Sequence, residues 1–219
     1  SGSTDGSVAR ALAHGAEVIE LDRSQPFTAA RGRNAGWRRL LEARPGLEFV
    51  QFIDGDCELV DGWLAAAVRF AKQHADVGVV CGRRREIDPA RNIYHLWTDM
   101  EWDTPVGETT SCGGDSLVRT TALTSSGGFK ENLIAGEEPE LCVRLRAAGW
   151  KVWRIDHEMT RHDIDLQSFS QWWKRSVRSG YAYAEGAALH GAAPERHWVR
   201  ESRSIWIWGA AVPVAALLF

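Results

Sequence analysis

Two observations predict an α/β fold, with a mostly parallel sheet that is covered by helices on both faces. Helical and strand patterns alternate along residues 8–81, and the strands at 49–53 and 77–81 are short, almost wholly apolar runs. Such runs are typical of strands buried on both faces, and their alternation with helices favours parallel connections. At 219 residues, with 44% hydrophobic content, the chain is long enough for one large domain.

Capping residues and glycines set the boundaries of the predicted elements. A cluster of Ser, Thr and Asp precedes the first helix, Asp61 is placed to cap the third, and Pro139 suits the first turn of a later one. Between residues 83 and 128 the pattern loosens into long connections, which in compact domains usually carry binding residues. We expect helices near 8–14, 28–44, 62–71 and 139–148, and strands at 17–21, 49–53, 77–81 and 151–155.

Two aspartates separated by one glycine, Asp54 and Asp56, follow the strand predicted at 49–53. In sheets of this kind, ligands gather at the carboxyl ends of the strands. Two carboxylates there suit a hard divalent cation that also takes phosphate oxygens as ligands, so we expect Mg²⁺ or Mn²⁺ bridging a diphosphate. An acid-Gly-acid stretch alone is also typical of a solvated turn.

A second acidic cluster, with Glu137, Glu138 and Glu140, surrounds Pro139 at the start of a predicted helix. The helix dipole stabilises ionised carboxylates at this end, whereas crowding of the acids raises the proton affinity of at least one of them. One of the three could therefore act as a general base near neutral pH. The alternative is an ordinary helix cap, because acids are common in first helical turns.

Three further features are candidates for function. His162 follows the strand predicted at 151–155 and could complete a metal site with the aspartates. Trp102 and Asp103 lie in the loosely patterned connection, where we expect contact with a substrate. The alternative is a surface excursion in which the Trp is simply half-buried. Residues 168–184 combine Trp, Tyr, Lys and Arg in an amphipathic helix that suits a membrane interface, and a core helix with a basic solvated side is the competing interpretation.

Taken in chain order, these motifs resemble the bacterial family-two glycosyltransferases, which have a GT-A fold. The resemblance spans nearly the whole chain and rests on the turn over residues 2–7, Arg33-Asn34-Ala35-Gly36, Asp54-Gly55-Asp56, Gly113-Gly114, Gly127-Gly128-Phe129, Glu137-Glu138 and His162. It implies a Rossmann-like GT-A sheet and an inverting transfer from a nucleotide-sugar. The family's first strand and its nucleotide-contacting acid would precede Ser1, which itself stands where a second acid is often found.

The resemblance also implies a role for each matching residue. Asp54 and Asp56 match the family's DxD motif, with Asp56 as the direct metal ligand, and His162 matches the histidine that joins the metal. Glu138 falls where the family has its base, with Glu137 beside it, and a Glu in place of the usual Asp leaves the choice between them open. We expect nucleotide contacts from Asp5, Arg33, Asn34 and Asp54, and acceptor contacts from Trp102, Asp103, Gly113, Gly114, Glu140 and Trp173.

Composition and the apolar end of the chain bear on partners and location. The net charge of −3 argues against a nucleic-acid partner, and four cysteines without metal-ligand spacing predict reduced thiols. Residues 204–219 are uncharged and follow three arginines, so we expect a membrane anchor on the cytoplasmic face of the inner (plasma) membrane. Those 16 residues are shorter than a full span, and an apolar helix packed on the domain is the alternative.

We therefore expect a GT-A domain at 1–165, an amphipathic interfacial region at 166–203 and the start of a transmembrane helix at 204–219. The expected activity is metal-dependent, inverting transfer from a UDP- or GDP-sugar to a glycan, polysaccharide or lipid-linked acceptor at a membrane surface. A nucleotidyltransferase that makes nucleotide-sugars would want a Gly-rich phosphate loop with a Lys, which the sequence does not show. A non-catalytic carbohydrate-binding or scaffold protein of the same fold would not need the paired acids.

Overall fold

The computed structural model describes residues 3–218 and contains a six-stranded sheet with helices packed on it. Ser1, at the position where the family often has an acid, lies outside the described residues, as do Gly2 and Phe219. The strands are β1 (Phe49–Phe52), β2 (Cys57–Leu59), β3 (Val77–Glu86), β4 (Gly107–Glu108), β5 (Ser116–Arg119) and β6 (Lys151–His162). The helices are α1 (Ser7–Ala13), α2 (Ala29–Ala43), α3 (Trp63–Gln73), α4 (Ile93–Glu101), α5 (Thr120–Ser125), α6 (Glu137–Ala147), α7 (Phe169–His190), α8 (Val199–Trp206) and α9 (Val212–Leu218).

The strand order is β1-β5-β3-β6-β2, and β4 pairs with β6. Strands β1, β3 and β6 run in one direction, and β3 pairs with β6 in parallel. The other pairings of the described strands are antiparallel, because β5 is inserted between β1 and β3 and because β2 and β4 both pair with β6. The predicted α/β class is confirmed, and the sheet is mixed rather than mostly parallel.

Core side chains cover both faces of the sheet. One apolar cluster contains Val79 and joins β1, β3 and β5 to α2, α5 and α6. The other contains Val80 and packs α3, with its fully buried Trp63, against β3, β5 and β6. Successive residues of a strand point to opposite faces, so a strand covered on both faces must be apolar at every position. This explains the continuous apolar run by which β3 was predicted.

Several predicted elements need correction. Residues 17–21 are not a strand: none of the described strands pairs with them, and their side chains are exposed or half-buried. Helix α3 begins after Gly62, which is in the left-handed conformation, and Asp61 does not cap it. The loosely patterned connection at 83–128 contains α4, β4, β5 and α5. Its strands have only two and four residues, too few to leave a periodic signal.

The chain after β6 is helical. Helix α7 has 22 residues, and the hydroxyl of Ser202 on α8 donates a hydrogen bond of 3.0 Å to the carbonyl of Tyr183 on α7. A π-helical segment, Ile207–Ala211, connects α8 to α9. Across the part of the chain that is described, no helix combines the length and apolarity needed to cross a membrane.

Candidate active site

The carboxyl ends of β1, β3 and β6 meet at one edge of the sheet, where the predicted site residues gather. Asp54 and Asp56 follow β1, and His162 ends β6. Because β5 runs the opposite way, its beginning brings Asp115 to the same edge. A cleft of about 370 Å³ opens beside them. Its lining includes Arg33, Asp54, Gly113, Gly114, Glu137 and Glu138 on one side, and Arg175, Arg178, Tyr183 and Trp198 from the helical region on the other.

Asp54 is held by two arginines. Its Oδ1 accepts a hydrogen bond of 2.6 Å from Nη2 of Arg33, and its Oδ2 lies 3.6 Å from Nη2 of Arg84. Arg33 also pairs with Glu137, so this guanidinium joins the two acidic clusters that the sequence presents separately. Burial by itself would lower the pKa of Arg33, but the charges of Asp54 and Glu137 raise that pKa overall. Arg33 therefore remains charged beside both acids.

Asp115 is a site residue that the sequence analysis missed. It is fully buried, it accepts a hydrogen bond of 2.8 Å from the backbone N–H of Asp54, and it pairs with Arg84 at 2.9 Å. The preceding Gly114 leaves room for the Asp54 carboxylate, because a Cβ at that position would overlap its Oδ2 and displace it. The sequence signal for Asp115 was its position directly after Gly113-Gly114. Its role is to hold the backbone of the Asp-Gly-Asp motif through the N–H of Asp54.

Asp56 and His162 form a candidate cation site. Oδ2 of Asp56 lies 3.3 Å from Nε2 of His162. The other ring nitrogen, Nδ1, faces Oε2 of Glu86 at 3.5 Å, and the ring of Trp102 packs edge-on at 4.6 Å between centroids. Glu86, a buried residue that the sequence analysis missed, also lies 3.1 Å from Nδ1 of His95. These contacts orient His162 with Nε2 towards Asp56, as carboxylates that face the other ring nitrogen of a metal-binding histidine do in known metal sites.

The donor atoms fit Mn²⁺ or Mg²⁺. A carboxylate oxygen suits both hard cations, and imidazole is a better ligand for Mn²⁺ than for Mg²⁺. The Cys57 thiol is close to Asp56 and His162, but sulfur is a soft ligand and does not suit a hard cation. Asp54, which was also expected to bind the metal, pairs with Arg33 and Arg84, and its role as a metal ligand stays a prediction.

Glu138 is buried at the start of α6, and its carboxylate accepts four hydrogen bonds. Oε1 accepts from the N–H of Cys112 at 2.8 Å and from the thiols of Cys112 and Cys142 at 2.9 Å each, and Oε2 accepts from the N–H of Gly113 at 2.9 Å. Burial raises the pKa of Glu138, and these donors oppose the rise. Since Glu137 is committed to an ion pair with Arg33, the geometry favours Glu138 as the general base.

Glu140 lies apart from the cleft, in a buried ion cluster. Arg144 donates to both of its oxygens, Lys130 lies 2.9 Å from Oε1, and Nε2 of His190 lies 2.9 Å from the same oxygen. Although burial alone would raise it, these partners hold the pKa of Glu140 at about 2. The residue predicted to contact the acceptor is therefore a structural anchor that joins α6 to the end of α7.

Asn34 is likewise structural rather than exposed to a nucleotide. Its buried amide donates to the carbonyl of Phe129 and to Glu131, at 2.8 Å each. Its oxygen accepts from Nε1 of Trp37 at 2.9 Å and from the N–H of Phe129 at 3.0 Å. The amide thus uses both donors and both lone pairs to fasten the turn at residues 127–129.

Six further predicted residues are not among those that line the cleft. Asp56, His162 and Trp102 belong to the candidate cation site described above, whereas Asp5, Asp103 and Trp173 lie outside that site as well. Asp5 accepts hydrogen bonds within the turn that begins α1. Asp103 is exposed and pairs with Arg83 at 2.6 Å. Trp173 is exposed on α7 and stacks on Phe169. Trp102 differs from these three, because it contacts His162 and packs beneath Arg84 with 5.2 Å from the guanidinium to the ring.

Known proteins share this architecture. The sequence model of glycosyl transferase family 2 matches residues 1–129, and no curated protein matches the chain. Among solved structures, the mannosyltransferase PcManGT from Pyrobaculum calidifontis, in complex with GDP-Man and Mn²⁺, has a TM-score of 0.61 and 19% identity over 100% of this chain and 67% of its own. S. aureus TarS has a TM-score of 0.55 and 14% identity over 89% of this chain and 39% of its own.

A third solved structure is glucosyl-3-phosphoglycerate synthase from Mycobacterium tuberculosis, in complex with phosphoglyceric acid. It has a TM-score of 0.53 and 19% identity, over 86% of this chain and 66% of its own. Identities this low show a shared fold alone, and the chain spans 39% to 67% of the length of these three proteins. The expected GT-A fold is confirmed, and because the family model matches more than half of the residues, the chain belongs to glycosyl transferase family 2.

Proposed function

We propose that this chain is the catalytic GT-A domain of a metal-dependent, inverting glycosyltransferase that moves a sugar from a nucleotide-diphosphate-sugar to a hydroxyl acceptor. One observation carries the proposal: Glu138, a buried carboxylate with a raised pKa, lines the same cleft as Asp54, and Asp54 lies two residues before Asp56 of the candidate cation site. This transfer requires a base and a cation site near each other. Membership of the family supports the same activity.

Each residue of the site has a distinct role in this reaction. Asp56 and His162 would hold the cation, and Glu86 keeps the imidazole in orientation. When bound, a divalent cation supplies positive charge opposite the leaving diphosphate. Glu138 takes the proton of the acceptor hydroxyl as that oxygen attacks the anomeric carbon from the face opposite the leaving group. A single displacement of this kind inverts the anomeric centre.

The donor and the membrane are the proposed partners. PcManGT was solved with GDP-Man and S. aureus TarS with UDP, which supports a GDP- or UDP-sugar as the donor here. A glycan or lipid-linked acceptor would enter from the side of α7. The exposed rings of Trp173, Trp206 and Trp208, near arginines of α7 and α8, support contact with the cytoplasmic face of a membrane. Sedimentation of the full-length protein with anionic vesicles tests this contact, and a protein that stays in the supernatant contradicts it.

A panel of UDP- and GDP-sugars, offered to the protein with Mn²⁺ or with EDTA, tests the activity. We expect release of a nucleoside diphosphate from one donor. EDTA and the variant Asp56→Ala should each abolish this release. The control Asp61→Ala, which changes an exposed acid nearby in sequence, should release the diphosphate normally. Proton NMR of the product should show the inverted anomer. Release of pyrophosphate would instead identify a nucleotidyltransferase, and no turnover of any donor would contradict the proposal.

A further inference from the structure

We propose that the thiols of Cys112 and Cys142 are positioning groups for Glu138: they occupy one carboxylate oxygen, Oε1, and thereby leave the other, Oε2, to receive the acceptor's proton. This inference rests on the proposed function, because it names the atom at which the general base acts. Cysteines in a nucleotide-sugar site need be neither nucleophiles nor disulfide partners, and here both serve as hydrogen-bond donors.

The two thiols reach the same oxygen from different elements. Cys142 lies four residues after Glu138 on α6, on the same face of the helix, and Cys112 lies in the connection before β5. Each sulfur is 2.9 Å from Oε1, and the two sulfurs are 3.9 Å apart. The carboxylate is therefore held between a helix and a loop, rather than by its own helix alone.

The hydrogen bonds on the two oxygens are unequal. Oε1 accepts from three donors, the two thiols and the N–H of Cys112, which exceeds its two lone pairs. Oε2 accepts from the N–H of Gly113 and keeps a lone pair free. Gly113 lines the cleft, whereas neither cysteine is among the lining residues. The oxygen with the free lone pair, Oε2, is therefore the one that is bonded to a residue of the cleft lining, Gly113.

Both sulfurs remain protonated and can donate. Burial raises the pKa of Cys112, and the hydrogen bond with Cys112, followed by burial, raises the pKa of Cys142. The charged groups near this cluster are Arg84 on β3, Arg154 on β6 and the Arg33–Glu137 pair, and Cys81 on β3 is a further buried thiol. Donors to the ionised carboxylate favour that form, so each thiol lowers the proton affinity that burial raises.

The test is a ¹³C NMR titration of the Glu138 carboxyl in protein made with ¹³C-labelled glutamate, assigned by the signal that Glu138→Gln removes. Loss of one donor to a charged group should raise the carboxyl pKa by about one unit in Cys112→Ala and in Cys142→Ala. Cys112→Ser and Cys142→Ser, which keep a donor, should restore it. Because Ala leaves a cavity, Cys142→Val supplies a variant that fills the space without a donor.

One further control separates positioning of the carboxylate from packing around it. Cys81→Ala removes a buried thiol that does not bond Glu138, so it should leave the titration unchanged. An unchanged carboxyl pKa in folded Cys112→Ala and Cys142→Val would overturn the inference. So would a stoichiometric Zn²⁺ found on the wild-type thiols by native mass spectrometry, since a thiolate ligand cannot donate.

The kinetic counterpart uses nucleoside diphosphate release. The acidic limb of its pH profile should move upward in the Ala variants by the same amount as the titration, and the Ser variants should return it. A carboxyl pKa that responds to the thiols in a protein that turns over no nucleotide-sugar would refute the proposed function and leave the thiol contacts established. A pH profile that does not move, in an active enzyme, would refute the inference alone.

Discussion

Glu138 and Glu140 are two buried glutamates in the first turn of α6, and their surroundings are opposite in character. Glu138 meets two thiols and two backbone N–H groups, all of them neutral, and burial raises its pKa although these donors oppose the rise. Glu140 meets Arg144, Lys130 and His190, and its pKa falls to about 2. Neutral donors satisfy a carboxylate and still leave it basic, whereas cations keep it ionised and unreactive. One helical turn thus carries a candidate catalytic group and a structural one.

Replacing Glu140 should lower the free energy of unfolding much more than replacing Glu138. Glu140→Gln would leave Arg144 and Lys130 without their carboxylate, and breaking a buried ion cluster in this way costs about 3–5 kcal/mol of unfolding free energy. Glu138→Gln keeps an oxygen as acceptor for the thiols and should cost about 1 kcal/mol. Urea denaturation of both variants at pH 7 measures the difference. Equal losses in the two variants would mean that the surroundings do not differ as described.

The pH dependence of stability should have opposite sign at the two sites. The folded pKa of Glu140, about 2, is below its usual 4.5, so its stabilisation is present above pH 4.5 and is lost as the pH falls towards 2. A shift of this size is worth roughly 3 kcal/mol. The raised pKa of Glu138 has the reverse effect: its contribution is present below pH 4.5 and is lost as the pH rises through the folded value.

Denaturation of the wild type and Glu140→Gln between pH 3 and pH 7 checks this sign. The gap between the two proteins should narrow in acid. A gap that keeps its size down to pH 3 would show that Glu140 is not charge-paired.

Glu86 and His162 also differ in role: Glu86 positions a neighbouring side chain, and His162 is the proposed cation ligand. Glu86→Gln removes the charge that faces Nδ1 of His162, and loss of such an outer partner typically lowers metal affinity by about 10- to 100-fold. Mn²⁺ binding, followed by electron paramagnetic resonance, measures the change without any turnover. Glu58→Gln, on the exposed face of β2, is the matched control. Unaltered Mn²⁺ affinity in Glu86→Gln would remove Glu86 from the site.

A smaller change, in nucleotide affinity, is expected when Gly114 is replaced. A Cβ there would overlap Oδ2 of Asp54 and crowd Nη2 of Arg33, so Gly114→Ala should displace the Asp54 carboxylate. Affinity for UDP or GDP, measured by calorimetry, should fall roughly tenfold, the equivalent of one hydrogen bond to a charged group. Gly36→Ala in α2, where a Cβ meets open space, should bind normally. Equal affinities would show that the position of Asp54 is not critical.

Structural features that depend on neighbouring residues could be predicted from the sequence. Features that depend on contacts between residues far apart in the chain could not. The apolar runs of β1 and β3, and the polar residues at their ends, were predicted because pattern and position are local properties. Two of the residues that distinguish Glu138 from Glu140, Cys112 and His190, are 26 and 50 positions away and could not be assigned from the sequence. Two others, Cys142 and Arg144, are each four residues further along the same helix, and only the structure shows that they contact these carboxylates. Strand β5, and with it the role of Asp115, depends on pairing with strands far along the chain and was missed for the same reason.

In the proposed mechanism Glu138, rather than Glu137, takes the acceptor's proton. The most direct measurement is the rate of nucleoside diphosphate release at saturating donor in Glu138→Gln and Glu137→Gln. Loss of a general base should lower kcat by about 10²- to 10⁴-fold in Glu138→Gln and leave the donor KM unchanged. Glu137→Gln, which loses its ion pair with Arg33, should change mainly the donor KM. Near-normal kcat in Glu138→Gln, together with its collapse in Glu137→Gln, would contradict this assignment.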